Sequence, residues 1–149
     1  MLIEVLVACS IISIVTFGVF SAAQRGIQLS QLALRETQAS FLLEEGVESV
    51  KTIRDTSWTT ISNLTLGVAY YLSFNTTNNT WSLEITPNTT DNFTRTVVFS
   101  DVYRNSNDDI ASSGTLDVRT KKVSVNVAWP SSSGTASKTL SFYLADIFN

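Results

Sequence analysis

Histidine is absent from this 149-residue chain, cysteine and methionine occur once each, and there are only two prolines and six glycines. Without histidine the chain lacks the commonest general base and the commonest transition-metal ligand. The single Cys9 excludes an internal disulfide and any zinc site built on several thiolates; it reads as a small apolar packing residue. No phosphate-binding glycine loop, nucleophile elbow or Cys/His cluster occurs. The expectation is a protein that is not an enzyme and uses no cofactor. Charge is scarce as well, at 15% of residues against roughly 25% in an average soluble domain. The ten Lys and Arg do not cluster, and the net charge is −3, which speaks against a nucleic-acid surface.

What fills the chain is of two kinds. Hydrophobic residues make up 44%, while 20 Ser, 19 Thr and 10 Asn make about a third of the chain small, polar and uncharged. The apolar part comes first. Met1 to Ala23 reads MLIEVLVACSIISIVTFGVFSAA, in which Glu4 is the one charge and Arg25 the first positive side chain. The 19 uncharged residues from Val5 to Ala23 would span ~28 Å as a helix, close to the ~30 Å of a bilayer core. A secretory signal peptide should carry a basic region ahead of its apolar core, and here an acid stands in that place. A plain transmembrane anchor fits the length but gives no use to Glu4, since a carboxylate within the membrane is costly and implies a partner.

Leu2-Ile3-Glu4-Val5-Leu6-Val7-Ala8, followed by an apolar stretch to about Ala23, resembles the N-terminus of bacterial type IV pilins and pseudopilins, whose processed chains typically begin Phe-Thr-Leu-Ile-Glu. In that family the glutamate usually stands fifth. Here it is fourth, so either the chain starts one residue inside the processed form or Met1 replaces the first two residues. The resemblance implies a prepilin peptidase that removes a short leader, methylation of the new N-terminus, and a helix that anchors the subunit before packing into a filament core. It assigns assembly to Met1, Leu2, Ile3, Glu4 and Val5, with Glu4 pairing a neighbouring subunit's amine. An unpaired buried carboxylate costs several kcal/mol, so such a pair would select subunits in register. Filaments of this family can lose helicity near the position of Gly18. Glycine is the weakest helix former there, and the alternative role is close helix packing.

Gln24 to Asp55 continues without proline. Leu32, Ala39, Leu43, Val47, Val50 and Ile53 form one helical stripe, with Gln31, Arg35, Gln38, Glu45 and Arg54 elsewhere. The pattern predicts one helix over 2–54, ~80 Å long, apolar all round in residues 1–23 and amphipathic in 24–55. A β-rich head follows over 56–149, with Trp58 anchoring its core and a short helical turn at 58–63. Strand patterns at 67–74, 80–86, 93–103, 121–129 and 138–148 are separated by polar turns. They predict an α+β fold: a long N-terminal helix packed on an antiparallel sheet of about four to five strands. Val123, Val125, Val127 and Trp129 should share the buried face.

Other signals are weaker. Asn-x-Ser/Thr sequons stand at Asn63, Asn75, Asn78, Asn88 and Asn92; they are possible glycosylation sites, or polar loops that keep a surface soluble. Asn105, Asn107 and Asp109 alternate oxygen ligands as calcium loops do, but lack the turn glycine and the later Glu of an EF-hand; an exposed turn is the alternative. Lys121 and Lys122, the one adjacent basic pair, read as a solvated strand end. The function expected from the resemblance is a major pilin in an extracellular type IV pilus, in the inner membrane before assembly, with further copies of itself, prepilin peptidase and an assembly platform and ATPase as partners. The alternatives are a minor pilin or pseudopilin of a secretion or DNA-uptake system, or a membrane-tethered binding module that never polymerises.

Overall fold

The computed structural model describes residues 2–131 and 134–147. With no proline before Pro87, the expected helix is found as α1, Leu2–Thr56, 55 residues long. A short α2, Trp58–Ser62, follows. The strands are β1 (Ala69–Asn75), β2 (Thr80–Glu84), β3 (Thr94–Arg104), β4 (Ile110–Ala111), β5 (Thr115–Ser131) and β6 (Gly134–Ala145). Contacts divide the chain into two units, Met1–Gln38 and Ala39–Asn149.

In the second unit the sheet is antiparallel, in the order β2-β1-β3-β5-β6, with β4 paired to β3. Its first hairpin closes where the run Asn75 to Asn79 suggests. The Asn75 side-chain oxygen accepts the backbone N–H groups of Thr77 and Asn78, and Asn79 takes a left-handed φ of 51°, a conformation that Asn tolerates well.

The last third of α1 covers one face of this sheet. Ala39, Leu43, Val50 and Ile53 pack with Leu72 of β1, Val97 and Phe99 of β3, and Val123, Val125 and Val127 of β5. The period of two in β5 and the helical period in α1 meet in that core. Trp129 is buried on the predicted face, and Trp58 packs against the core from α2. Two members were not visible as apolar positions: Gly46 and Ser49 are buried. A Cβ on Gly46 would lie 2.9 Å from Val125 Cγ1 and 3.1 Å from Arg95 Cδ, so this glycine lets the helix sit close on the sheet. The Ser49 hydroxyl donates to the Glu45 carbonyl at 2.6 Å, which lets it enter the core with its hydrogen bond made.

Several expectations need correction. Leu32, placed in the core stripe, is 43% exposed and belongs to the first unit. β5 begins at Thr115, not 121, and β4 was unforeseen. Both lie at the tip of the β3–β5 hairpin, where the Arg104–Asp117 pair holds the strands and the short alternation of Leu116 and Val118 with Asp117 and Arg119 faces solvent rather than the core. β6 runs from Gly134 to Ala145; its expected end at Phe148 lies outside the described residues. Lys121 is not a solvated strand end: it is buried against Asp101, while Lys122 is exposed.

Candidate assembly surface

The N-terminal segment is rich in β-branched residues, Ile11, Ile12, Ile14, Val15 and Thr16 among them, which are mediocre helix formers in water. In an apolar medium the balance changes, because every backbone group must be satisfied within the segment and the helix does that. The side-chain hydroxyls follow the same rule. Ser10 donates to the Leu6 carbonyl at 2.8 Å, Ser13 to Cys9 at 2.7 Å and Thr16 to Ile12 at 2.7 Å. These three polar side chains thus need no water.

α1 is long and apolar enough to cross a membrane, and none of its most apolar window is buried within the chain. From Leu2 to Phe20, twelve large apolar side chains are each more than half exposed. Covering a side chain of this size is worth roughly 1.5–3 kcal/mol when complete, so even partial cover of twelve amounts to well over 10 kcal/mol. A surface of this extent marks a membrane or protein contact, and the exposed apolar helix suits membrane association. Leu2, Ile3, Glu4 and Val5, four of the five predicted assembly residues, lie on its exposed first turn; Met1 is outside the described residues. Glu4 sits where the positive end of the helix dipole favours an acid. Gly18 lies within the unbroken helix with nothing near its Cβ position.

The head presents the other predicted sites. Asn63 ends α2, and Asn75, Asn78 and Asn92 are exposed, Asn92 with φ 68°. Asn88 differs. Its side-chain amide donates to the Leu72 carbonyl at 3.0 Å and is partly buried, so it is the least accessible sequon. In the calcium-like loop the Asn105 side-chain oxygen accepts the N–H groups of Asn107 and Asp109 at 2.9 and 3.0 Å. The oxygen that would face a cation closes the turn instead. Arg104 already supplies positive charge there: it donates to Asp117 Oδ2 at 2.7 Å and to the Asp108 carbonyl at 2.8 Å. That hydrogen bond holds the Asp117 carboxyl below the usual carboxylate range and raises Arg104 in turn. No cluster of three or more His, Cys, Asp or Glu is placed to hold a metal among the described residues.

One site was missed by sequence reasoning. Arg95 of β3 reaches α1, donating to Glu45 Oε2 at 2.6 Å and to the Leu42 carbonyl at 3.1 Å, with its guanidinium 5.4 Å from the Trp81 ring centre. Its position two residues from buried Val97 was the available signal. Comparison with protein-family models, with curated proteins and with solved structures finds no match; the architecture, a long apolar N-terminal helix whose last part packs on an antiparallel sheet, is pilin-like.

Proposed function

We propose that this chain is the major structural subunit of a type IV pilus or a closely related filament, held in the cytoplasmic membrane before assembly and extracellular after it. The observation that carries this reading is the first part of α1: twelve exposed large apolar side chains between Leu2 and Phe20, with Glu4 the one charge before Arg25. Lipid covers such a surface before assembly and neighbouring helices cover it afterwards. A carboxylate moving into that setting demands a cationic partner, and a neighbour's terminal amine is the group that satisfies it only in the correct stagger. The head, poor in charge and rich in Ser, Thr and Asn, forms the outer surface. Extraction from the membrane is work for an assembly ATPase, and prepilin peptidase prepares the N-terminus.

The test is Glu4→Ala, followed through membrane fractionation and shearing of surface fibres. The variant is expected to fold, to enter the membrane and to yield few or no fibres. Normal fibres from it would remove the register role of Glu4, and a wild-type chain that never leaves the membrane fraction would favour a tethered binding module.

A further inference from the structure

In the middle of the sheet face away from α1, polar side chains are tied to one another. Ser124 Oγ lies 2.8 Å from Ser141 Oγ, and Asn126 Nδ2 donates to Thr139 Oγ1 at 2.8 Å. At one end of that face the pattern stops. Thr94 and Ala128, opposite each other on β3 and β5, and Pro130 and Thr135, opposite each other on β5 and β6, line an open cleft of about 310 Å3. The loop from β2 to β3 adds Thr89 and Asn92 to its lining. The side chains of Thr89, Asn92, Thr94 and Thr135 make no hydrogen bond among the described residues. The loop itself is held. Thr90 and Phe93 exchange backbone hydrogen bonds at 2.9 and 2.8 Å, and Asp91 and Asn92 take left-handed φ values of 50° and 68°, which these residue types tolerate. Phe93 is buried, with its ring centre 5.9 Å from that of Trp129, so the wall of the cleft is tied to the core beside Asn92.

The lining holds no titratable side chain, so it presents no counter-charge to an ion and no acid or base to a substrate. It offers three hydroxyls and one amide, groups that both donate and accept, beside Ala128, Trp129 and the Pro130 ring. A neutral pyranose matches that mixture: its hydroxyls also donate and accept, and its C–H face suits a flat apolar ring. An extended peptide is a poorer match, because it is recognised along a free strand edge and the cleft lies on β5, which is paired on both sides. Its volume is at the small end of ligand sites. The cleft also carries a sequence signal. Asn92-Phe93-Thr94 is one of the sequons, and its acceptor Asn92 and its Thr94 both line the cleft, with Phe93 buried between them. The nearby Asn88 is bonded to the Leu72 carbonyl instead.

We propose that this cleft seats a neutral saccharide ring, either the first ring of a glycan joined to Asn92 or a ring of a separate glycan. The seat has the same chemistry for both sources. In the joined case Asn92 Nδ2 bonds to the anomeric carbon of a phosphate-activated saccharide. The bond from that carbon to the phosphate oxygen breaks, its electron pair leaves with the phosphate, and the amide loses one proton. The seat belongs to the head alone and does not depend on polymerisation.

The experiment takes the full chain, purified in detergent from the producing cells, through peptide mass spectrometry across Asn92 and two-dimensional NMR. A saccharide mass on Asn92, absent in Asn92→Gln, identifies the joined source, and its first ring is then expected to show nuclear Overhauser contacts to the Ala128 and Thr135 methyl groups. With Asn92 unmodified, titration with glucose, galactose, N-acetylglucosamine and their disaccharides is expected to shift the Ala128 and Thr135 amides saturably, while N-acetylneuraminic acid, which is charged, does not. Binding should be at least fivefold weaker in Thr135→Val, which keeps the side-chain shape without the hydroxyl, and lost in Ala128→Phe, which fills the cleft. Both variants leave the core-facing row of β5 untouched, and the dispersion of the same spectra reports that they fold. A glycan on Asn92 without those contacts would overturn the seat. So would an unmodified Asn92 with no response to the neutral sugars, an equal response to the acid, or binding unchanged in Ala128→Phe. None of these results bears on fibre formation, so the seat and the filament reading stand or fall separately.

Discussion

Lys121 Nζ lies 2.6 Å from Asp101 Oδ1, between residues directly opposite each other on β5 and β3. Lys121 occupies the position before Val123 in the core-facing row, so its ammonium enters at the end of the apolar core, where the side chain is 9% exposed. The strand register shifts immediately beyond, between Asp101 and Val102, and Thr120 beside it is buried. The pair thus closes the core where the ladder breaks. Asp101→Ala should destabilise the head by roughly 2–4 kcal/mol, since it leaves a buried ammonium alone. Asp101→Leu combined with Lys121→Met should cost much less. Thermal unfolding of the full chain in detergent, followed by circular dichroism, checks both; equal losses in the two would mean that packing, not charge, is what matters here.

Gly46 sets how closely α1 approaches the sheet. Helix propensity alone predicts that Gly46→Ala gains about 1 kcal/mol. The contact with the buried, stiff Val125 side chain predicts a loss that cancels or exceeds this gain, because strand packing leaves Val125 little room to move. Gly46→Val should be destabilising by ~2 kcal/mol or more. A stabilised alanine variant in the same unfolding experiment would contradict the close-approach argument.

Arg95 and Glu45 are unequal partners. Glu45 is 48% exposed while Arg95 is 11% exposed, and Arg95 also reaches the Leu42 carbonyl and the Trp81 ring. Glu45→Gln should therefore cost no more than about 1 kcal/mol, and Arg95→Ala clearly more. Similar losses from both would show that the ion pair carries the whole contribution.

Asp117 predicts an acid-sensitive hairpin tip. Its carboxyl is held below the usual range, chiefly by the Arg104 hydrogen bond. The stability it contributes is therefore fully present above the unfolded-state value of about 3.9 and is lost as pH falls through the lower folded-state value. The Arg119 N–H, which donates to Asp117 Oδ1 at 3.0 Å, should lose extra hydrogen-exchange protection in that window. Asp117→Asn should remove this acid dependence; an unchanged profile would assign the sensitivity to another group.

The parts of the fold legible in the sequence were those with a strong period. α1 ends within two residues of the expected boundary because an uninterrupted run without proline allowed no earlier stop. Val123, Val125, Val127 and Trp129 fell on the buried face because alternation in a half-covered sheet leaves no other choice. What stayed hidden depended on partners far along the chain. Lys121 looks like a surface residue until Asp101, twenty positions earlier, is brought opposite, and Arg95 needs Glu45, fifty positions earlier. Ser49 and Gly46 are polar or small by type and enter the core for reasons of hydrogen bonding and space. The apolar character of the exposed first part of α1 was fully visible, since it is local, whereas what covers it lies outside the chain.

The central claim is tested most directly by cryo-electron microscopy of fibres sheared from the producing cells, with mass spectrometry of their subunit. The account predicts fibres built of this chain, helices of the Leu2–Ala23 segment in their core, and Glu4 within hydrogen-bond reach of a neighbour's terminal amine. Fibres that lack the chain, with the protein retained in the membrane fraction, would contradict it.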